Sequence, residues 1–318
     1  MARVAILDDY QNVARRMADW ASLPAGTDVV VFADHLKDTD AVAKRLADFD
    51  AVVAMRERTP FSRTLLERLP KLKLLVTTGM RNASIDVAAA VERKIVVCGT
   101  SGLPYPTAEL TWGLIIALQR NLVEEDRRMR EGGWQRTIGP ELAGRTLGLV
   151  GLGRLGSRVA RVAQAFEMDV IAWSANLSAQ AATEAGAEAV AFDELFRRAD
   201  VLSIHTRLSE RTRGLIGKRE LGLMKRSAVL VNTSRGPIVD EDALLAALRE
   251  GTIAGAALDV YAKEPLPVDH PLREAPRTLL SPHLGYVTTG TYEVFYGDAV
   301  EDIAAWLRGE PVRVLNGA

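Results

Sequence analysis

Cysteine is almost missing from this chain of 318 residues. The lone Cys98 cannot close an intrachain disulfide, so the fold must rest on a packed core, and such usage fits a reducing compartment. Its neighbours Ile95, Val96 and Val97 place it at a buried strand end, a structural rather than a reactive position. An excess of one charge is missing as well. Lys and Arg number 40 against 41 Asp and Glu, and the basic residues are scattered rather than gathered into a run, so nucleic acid is not an expected partner. No helix-like apolar stretch approaches the ~20 residues that span a bilayer. The longest runs only from Leu110 to Leu118. The N-terminus enters a strand pattern at once, Arg3-Val4-Ala5-Ile6-Leu7, without the basic-then-apolar layout of a signal peptide. Low-complexity tracts and fixed-period repeats are absent too. The expectation is a soluble, cytoplasmic protein.

What is present is alternation. The length exceeds what one core usually fills, so two domains are expected. Short β-branched runs alternate with helical patterns, the signature of βαβ units and parallel sheets. One series of candidate strands lies at 3–7, 28–33, 51–54, 73–77 and 95–97, with helical stretches such as 40–48 and 62–69 between them. A second lies at 146–150, 168–173, 199–204, 228–232 and 254–258, with helices such as 153–166 and 240–250. Between the series, Gly99, Gly102, Pro104 and Pro106 mark a hinge, after which Thr107 is expected to cap one long helix running to Gly132-Gly133. Residues 287–308 form another helical pattern, and Pro311 to Val314 offer a terminal strand. A chain that leaves one domain, builds another and returns has this layout. The fold class is α/β, with two doubly wound parallel-sheet domains. Their expected limits are 1–98 with 287–318, and 99–286.

Residues 146–156 read TLGLVGLGRLG, an apolar strand, then Gly151-x-Gly153-x-x-Gly156, then a helical run. In that context Gly151 permits a tight turn, Gly153 lets the backbone approach a pyrophosphate, and Gly156 lets helix pack on strand. The amides of Arg154 and Leu155 would face phosphates at a helix N-terminus. The following strand should end in an acid that grips the adenosine ribose of NAD. Here it ends Trp173-Ser174-Ala175-Asn176. Ser174 and Asn176 do not repel a 2′-phosphate, yet no arginine follows immediately to clamp one. The cofactor is therefore NAD or NADP, with dual use or a mild NADP preference expected if Ser174 is the ribose contact.

Three segments place an ionisable residue just after an apolar strand, at the edge where α/β proteins put ligands: VNTSRG with Arg235, ALDVYAKEP with Asp259 and Glu264, and LLSPHLG with His283. Reducing a keto acid requires a cation to hold the carboxylate and polarise the carbonyl, and a proton donor for the oxygen that gains charge. Arginine supplies the first and histidine the second. A carboxylate beside the imidazole stabilises its charged form, the role expected of Glu264. No metal site is expected.

With GLGRLG at 151–156, NTSRG at 232–236, DVYAKEP at 259–265 and SPHLG at 281–285, the chain resembles, over essentially its whole length, the D-isomer-specific 2-hydroxyacid dehydrogenase family. That group includes glyoxylate/hydroxypyruvate reductases and D-3-phosphoglycerate dehydrogenases. The resemblance implies a Rossmann-type dinucleotide-binding domain inserted in a flavodoxin-like substrate domain made from both chain ends. It implies that Arg235 binds the substrate carboxyl and carbonyl oxygen, His283 acts as acid/base and Glu264 pairs with it. Asp259 would face the nicotinamide carboxamide, and Thr206 and Thr233 would line the cofactor cleft. A homodimer through the inserted domain is implied, with the long helix contributing.

The chain departs from the family at its substrate loop, where TTGMRNASID stands at 77–86. Met80 and Arg81 occupy the stretch whose amides would meet the substrate carboxylate, and Arg81 is suited to an extra anionic group. Arg56 is either a second substrate contact or a solvated loop residue. Formate dehydrogenases of this fold use glutamine at the glutamate position, so Glu264 argues against that activity. The alternative from another class is a dinucleotide-sensing, corepressor-like binding protein. With no further segment after residue 318, feedback control by a bound amino acid is not expected.

Overall fold

The computed structural model describes residues 2–317. From the N-terminus it runs β1 (Arg3–Ile6), α1 (Ala14–Met17), β2 (Asp28–Val31), α2 (Thr39–Leu46), β3 (Ala51–Ala54), α3 (Arg63–Leu66), β4 (Leu74–Thr77), α4 (Val87–Glu92) and β5 (Val96–Gly99). Helices α5 (Pro106–Gln119) and α6 (Leu122–Arg130) lead to β6 (Thr146–Val150), α7 (Gly156–Ala165), β7 (Asp169–Trp173), α8 (Ala179–Glu184), β8 (Glu188–Ala189), α9 (Phe192–Arg198) and β9 (Val201–Ile204). Then come α10 (Lys218–Leu223), β10 (Val229–Asn232), α11 (Glu241–Glu250), β11 (Gly255–Leu258), β12 (Thr278–Leu280) and α12 (Thr289–Leu307).

The chain divides into two compact units, one of residues 1–103 with 288–318 and the other of 104–287. Their limits fall five residues and one residue beyond those expected from the sequence, because the extended run after β5 continues to Leu103 before α5 begins.

The first unit holds a five-stranded sheet in the order β2-β1-β3-β4-β5, parallel throughout. This is the flavodoxin-like order, with its switch point between β1 and β3. One face packs on α2, α3 and α4 through residues such as Val42, Leu46, Leu65, Leu66 and Ala90. Helix α12 packs with α1, and its apolar residues Tyr292, Phe295, Tyr296 and Ile303 are buried. Trp20 joins them, its ring 6.1 Å from that of Tyr296.

The second unit holds seven parallel strands in the order β12-β11-β10-β9-β6-β7-β8. That is the Rossmann arrangement, in which direction reverses at β6. Both faces are covered: α5 and α7 bury Trp112, Ile115, Val159 and Ala163 on one side, and α9, α10 and α11 bury Phe196, Leu221 and Leu244 on the other. Burial from both sides explains why these strands read as unbroken apolar runs.

Three local expectations fail. The single helix expected from 107 to 133 is broken at Asn121, which adopts φ +52° between α5 and α6. Asparagine is among the few residues that reach the left-handed region cheaply, and one such residue ends a helix. Thr107 does not cap α5, which starts at Pro106; the Thr107 hydroxyl instead donates to Gly285 O at 2.9 Å. The terminal strand expected at 311–314 is reduced to one antiparallel bridge from Val314 to Cys98.

Candidate active site

The loops that follow β6, β7, β9, β10, β11 and β12 share the C-terminal edge of the second unit's sheet, and each sequence-selected residue of that unit sits there. Gly151 has φ +100°, and its amide donates to Trp173 O at 2.8 Å, fixing the turn to the end of β7. A side chain at Gly151 would meet Thr206 N at 2.8 Å, and one at Gly156 would meet Gly151 O at 2.2 Å. Gly153 differs, since nothing lies within 4 Å of where its Cβ would be. Among the described residues, no backbone carbonyl accepts from the amides of Arg154 and Leu155, which precede α7. Open room above Gly153, unspent donors and a helix N-terminus together fit a dinucleotide pyrophosphate.

Arg235 leaves β10 through a turn that Asn232 closes. The Asn232 side chain accepts from Ser234 N and donates to Arg235 O, both at 3.0 Å. Ser234 Oγ ties the turn to Thr206 O, and Thr233, buried, pairs with Thr111 Oγ1 at 2.9 Å. Next to the arginine, Gly236 lies flat on another segment: a Cβ there would fall 2.0 Å from the carbonyl carbon of Tyr261. That approach locks the Arg235 turn to the strand exit carrying Glu264.

Glu264 is held at both oxygens. Oε1 accepts from Tyr261 N at 2.9 Å, and Oε2 faces His283 Nδ1 at 2.6 Å. Bonding at Nδ1 sets that nitrogen as the donor and leaves Nε2, which meets no described group, as the one able to exchange a proton. His283 itself has φ +55°, a conformation costing a non-glycine residue about 1 kcal/mol or more.

Asp259 offsets that cost. Its buried carboxylate accepts from Ser281 Oγ at 2.5 Å and Leu284 N at 2.7 Å through Oδ1, and from Gly285 N at 2.9 Å through Oδ2, so it grips the chain on both sides of His283. Burial pushes its pKa up, while those three donors pull the other way. The sequence marked Asp259 as a ligand contact; the structure shows both oxygens engaged within the unit. Tyr261, which sequence reasoning passed over, braces the same corner, its hydroxyl donating to Leu258 O at 3.1 Å and Ser281 O at 2.9 Å. His205, beyond β9, bonds Ser203 Oγ at 2.9 Å, and burial lowers its pKa to about 4, so it stays neutral at neutral pH.

Ser174, half-buried, directly follows β7, and Asn176 is exposed two residues on. In the first unit, Arg56 has φ +52° and lays its guanidinium over Gly79, donating to Thr78 O at 3.0 Å, while its own amide donates to Thr78 Oγ1 at 2.8 Å. The amides of Thr78 and Gly79 are spent on Ala54 O and Thr100 Oγ1. Those of Met80 and Arg81 meet no described acceptor, and both side chains are exposed. Among the described residues no group of three His, Cys, Asp or Glu could hold a metal ion.

Residues 112–285 match the model of the D-isomer specific 2-hydroxyacid dehydrogenase, NAD binding domain. The chain belongs to the D-isomer-specific 2-hydroxyacid dehydrogenase family. It is 43% identical over 263 residues to a glyoxylate reductase of Aeropyrum pernix, covering 79% of this chain and 78% of that one. Against a D-3-phosphoglycerate dehydrogenase of Methanocaldococcus jannaschii it is 37% identical over 275 residues, 85% of this chain but 52% of the relative. The crystal structure of a phosphoglycerate oxidoreductase from Vibrio cholerae superposes with a TM-score of 0.92 at 40% identity, over 97% of this chain and 100% of the other. This member of the family is an NAD(P)-dependent oxidoreductase of hydroxy acids, and the corepressor-like alternative is not favoured. No helix of the described residues is long and apolar enough to cross a membrane.

Proposed function

We propose that the chain reduces small 2-keto acids to D-2-hydroxy acids, with Arg235, Glu264 and His283 as its catalytic trio. The observation that carries this reading is the 2.6 Å pairing of His283 Nδ1 with Glu264, which leaves Nε2 without a partner at the edge where Arg235 also stands. Arg235 holds the substrate carboxylate and polarises the carbonyl; His283 delivers the proton from Nε2 to the carbonyl oxygen; Glu264 keeps the ring oriented and balances its charge. The nicotinamide, when bound, supplies the hydride that reaches the carbonyl carbon. The cofactor is NAD or NADP, held at Gly151, Gly153, Arg154, Leu155 and Gly156, with Thr206 and Thr233 nearby. Run in reverse, His283 accepts the hydroxyl proton as hydride leaves.

Glyoxylate and hydroxypyruvate are the substrates to try first, given the names of the relatives. We assign the first unit the role of substrate domain, with Arg56, Met80 and Arg81 shaping selectivity. The decisive experiment follows nicotinamide absorbance with a panel of keto acids and both cofactors. Turnover that disappears in His283→Gln while dinucleotide binding persists supports the reading. Tight dinucleotide binding with no turnover on any acid refutes it.

We also propose a homodimer working in the cytoplasm. Leu122, Val123, Met129, Trp134 and Ile138 are all exposed on or just after α6, a helix with no buried residue, and a second copy of the unit would cover them. Sedimentation of the wild type and of Trp134→Asp tests it; a monomeric wild type refutes it.

A further inference from the structure

The end of β7 carries more than hydride transfer requires. Pairing of Val150 with Trp173, and the bond from Gly151 N to Trp173 O, set the next residue beside the glycine-rich turn. In a Rossmann half that residue faces the adenosine ribose, where a carboxylate accepts from the ribose hydroxyls. Ser174 holds the position, its carbonyl accepting from Leu177 N at 3.1 Å. Ser178 is committed elsewhere, its hydroxyl capping α8 by accepting from Ala181 N at 3.1 Å. The Ser174 hydroxyl and the exposed Asn176 amide are left as donors. No acid occurs from Val170 to Thr183, and Glu184, at the far end of α8, accepts from Gln180 Nε2 at 2.9 Å.

The cations come from neighbouring loops. Arg154 follows β6 and Arg207 follows β9, at the same edge of the sheet as Ser174, and both are exposed. Neither guanidinium meets a carboxylate among the described residues. Arg127, Arg130, Arg198 and Arg219 of the same unit are each paired with one. A carboxylate after β7 would oppose the charge of roughly −2 on a phosphate monoester. A hydroxyl removes that repulsion and donates to the phosphate oxygens, and unneutralised arginines supply the counter-charge. Resting on the nicotinamide-dependent reading above, we infer that this chain takes NADP(H) in preference to NAD(H), with Ser174 and Asn176 donating to the 2′-phosphate and Arg154 and Arg207 balancing its charge.

Titration without substrate tests this, following quenching of tryptophan emission by NADH and by NADPH. The wild type binds NADPH at least about tenfold more tightly, a difference of about 1.4 kcal/mol. Adenosine 2′,5′-bisphosphate displaces NADPH and 5′-AMP does so poorly. Ser174→Asp weakens NADPH about 100-fold, about 2.7 kcal/mol, and leaves NADH unchanged or tighter. Arg207→Ala weakens NADPH alone and keeps the test alive should Ser174→Asp fail to fold. Equal or tighter binding of NADH by the wild type overturns the inference, as does an unchanged ratio in the two variants. Turnover with NADH alone would sink only the preference; binding of neither dinucleotide would sink the functional reading and this inference with it.

Discussion

Gly236→Ala is the smallest change that should disable this site without touching a reacting group. The added methyl would lie 2.0 Å from the Tyr261 carbonyl carbon, 2.3 Å from its oxygen and 2.5 Å from Ala262 N. All three are backbone atoms, so no side chain can swing aside. Reaching even the shortest separation that real Cβ atoms show requires the two segments to part by about 1 Å, a shift that costs on the order of 100-fold in rate when it misplaces reacting groups. Arg235 precedes the glycine, and Tyr261 N is what holds Glu264 Oε1, at 2.9 Å. The parting therefore moves Arg235 away from the Glu264–His283 pair. We expect kcat/KM to fall about 100-fold, equivalent to about 2.7 kcal/mol of transition-state stabilisation. Overpacking adds a stability loss of about 1–3 kcal/mol. Dinucleotide affinity should be kept, because Gly151 to Gly156 are not displaced. Steady-state kinetics, a thermal melt and a binding titration measure the three quantities. A variant that melts with the wild type and turns over within about threefold of it would show that the Gly236 contact does not set the Arg235–Glu264 geometry.

Three further outcomes are expected. Asp302 is fully buried, and burial pushes its carboxyl up to about 7, against ~3.9 in an unfolded chain. The folded state thus holds this proton more tightly, and the associated stability, about 4 kcal/mol, is present below pH ~4 and is lost as pH rises through about 7. Part of that is already lost at pH 5, so denaturant midpoints should fall from pH 5 to 8 by about 2.6 kcal/mol, and Asp302→Asn should flatten the dependence; an identical slope in both proteins would contradict it. Cys98 is buried and its thiol is pushed up to about 12 by burial, so the native protein should resist thiol-alkylating reagents that label it readily in denaturant. Labelling at equal rates would refute that. Tyr261→Phe removes one proton that the hydroxyl shares between the carbonyls of Leu258 and Ser281 and should lower stability by about 1 kcal/mol, a drop in Tm of a few degrees by calorimetry.

Much of the fold was legible because parallel strands buried on both faces leave runs such as Leu74–Thr77 and Val229–Asn232 that no helix period explains. The elements that escaped are those whose cause is not local. Strand β8 has two residues, too few to show a pattern, and pairs only with β7 at the edge of the sheet. The break at Asn121 escaped because good helix formers flank it on either side, and the left-handed turn there is a backbone choice. Conversely, the Pro311–Val314 segment, with valines on either side of Arg313, alternates like a strand, but among the described residues its pairing is limited to one bridge.

The site shows the same division more sharply. DVYAKEP contains two acids that composition cannot tell apart, and the structure gives them opposite uses. Asp259, at the last turn of the chain out of β11, is buried and spends both oxygens on the 281–285 segment, so that it holds His283 in its left-handed conformation. Glu264, five positions later and part-exposed, is the one left to face the ring. Gly236 and Tyr261 carried a signal that went unread: a glycine directly after the arginine, in a turn that has no positive φ to demand it, implies that another backbone lies against it. A motif therefore names which side chains reach the site, while the contacts at Gly236, Tyr261 and Asp259 decide which of them remain available to react there.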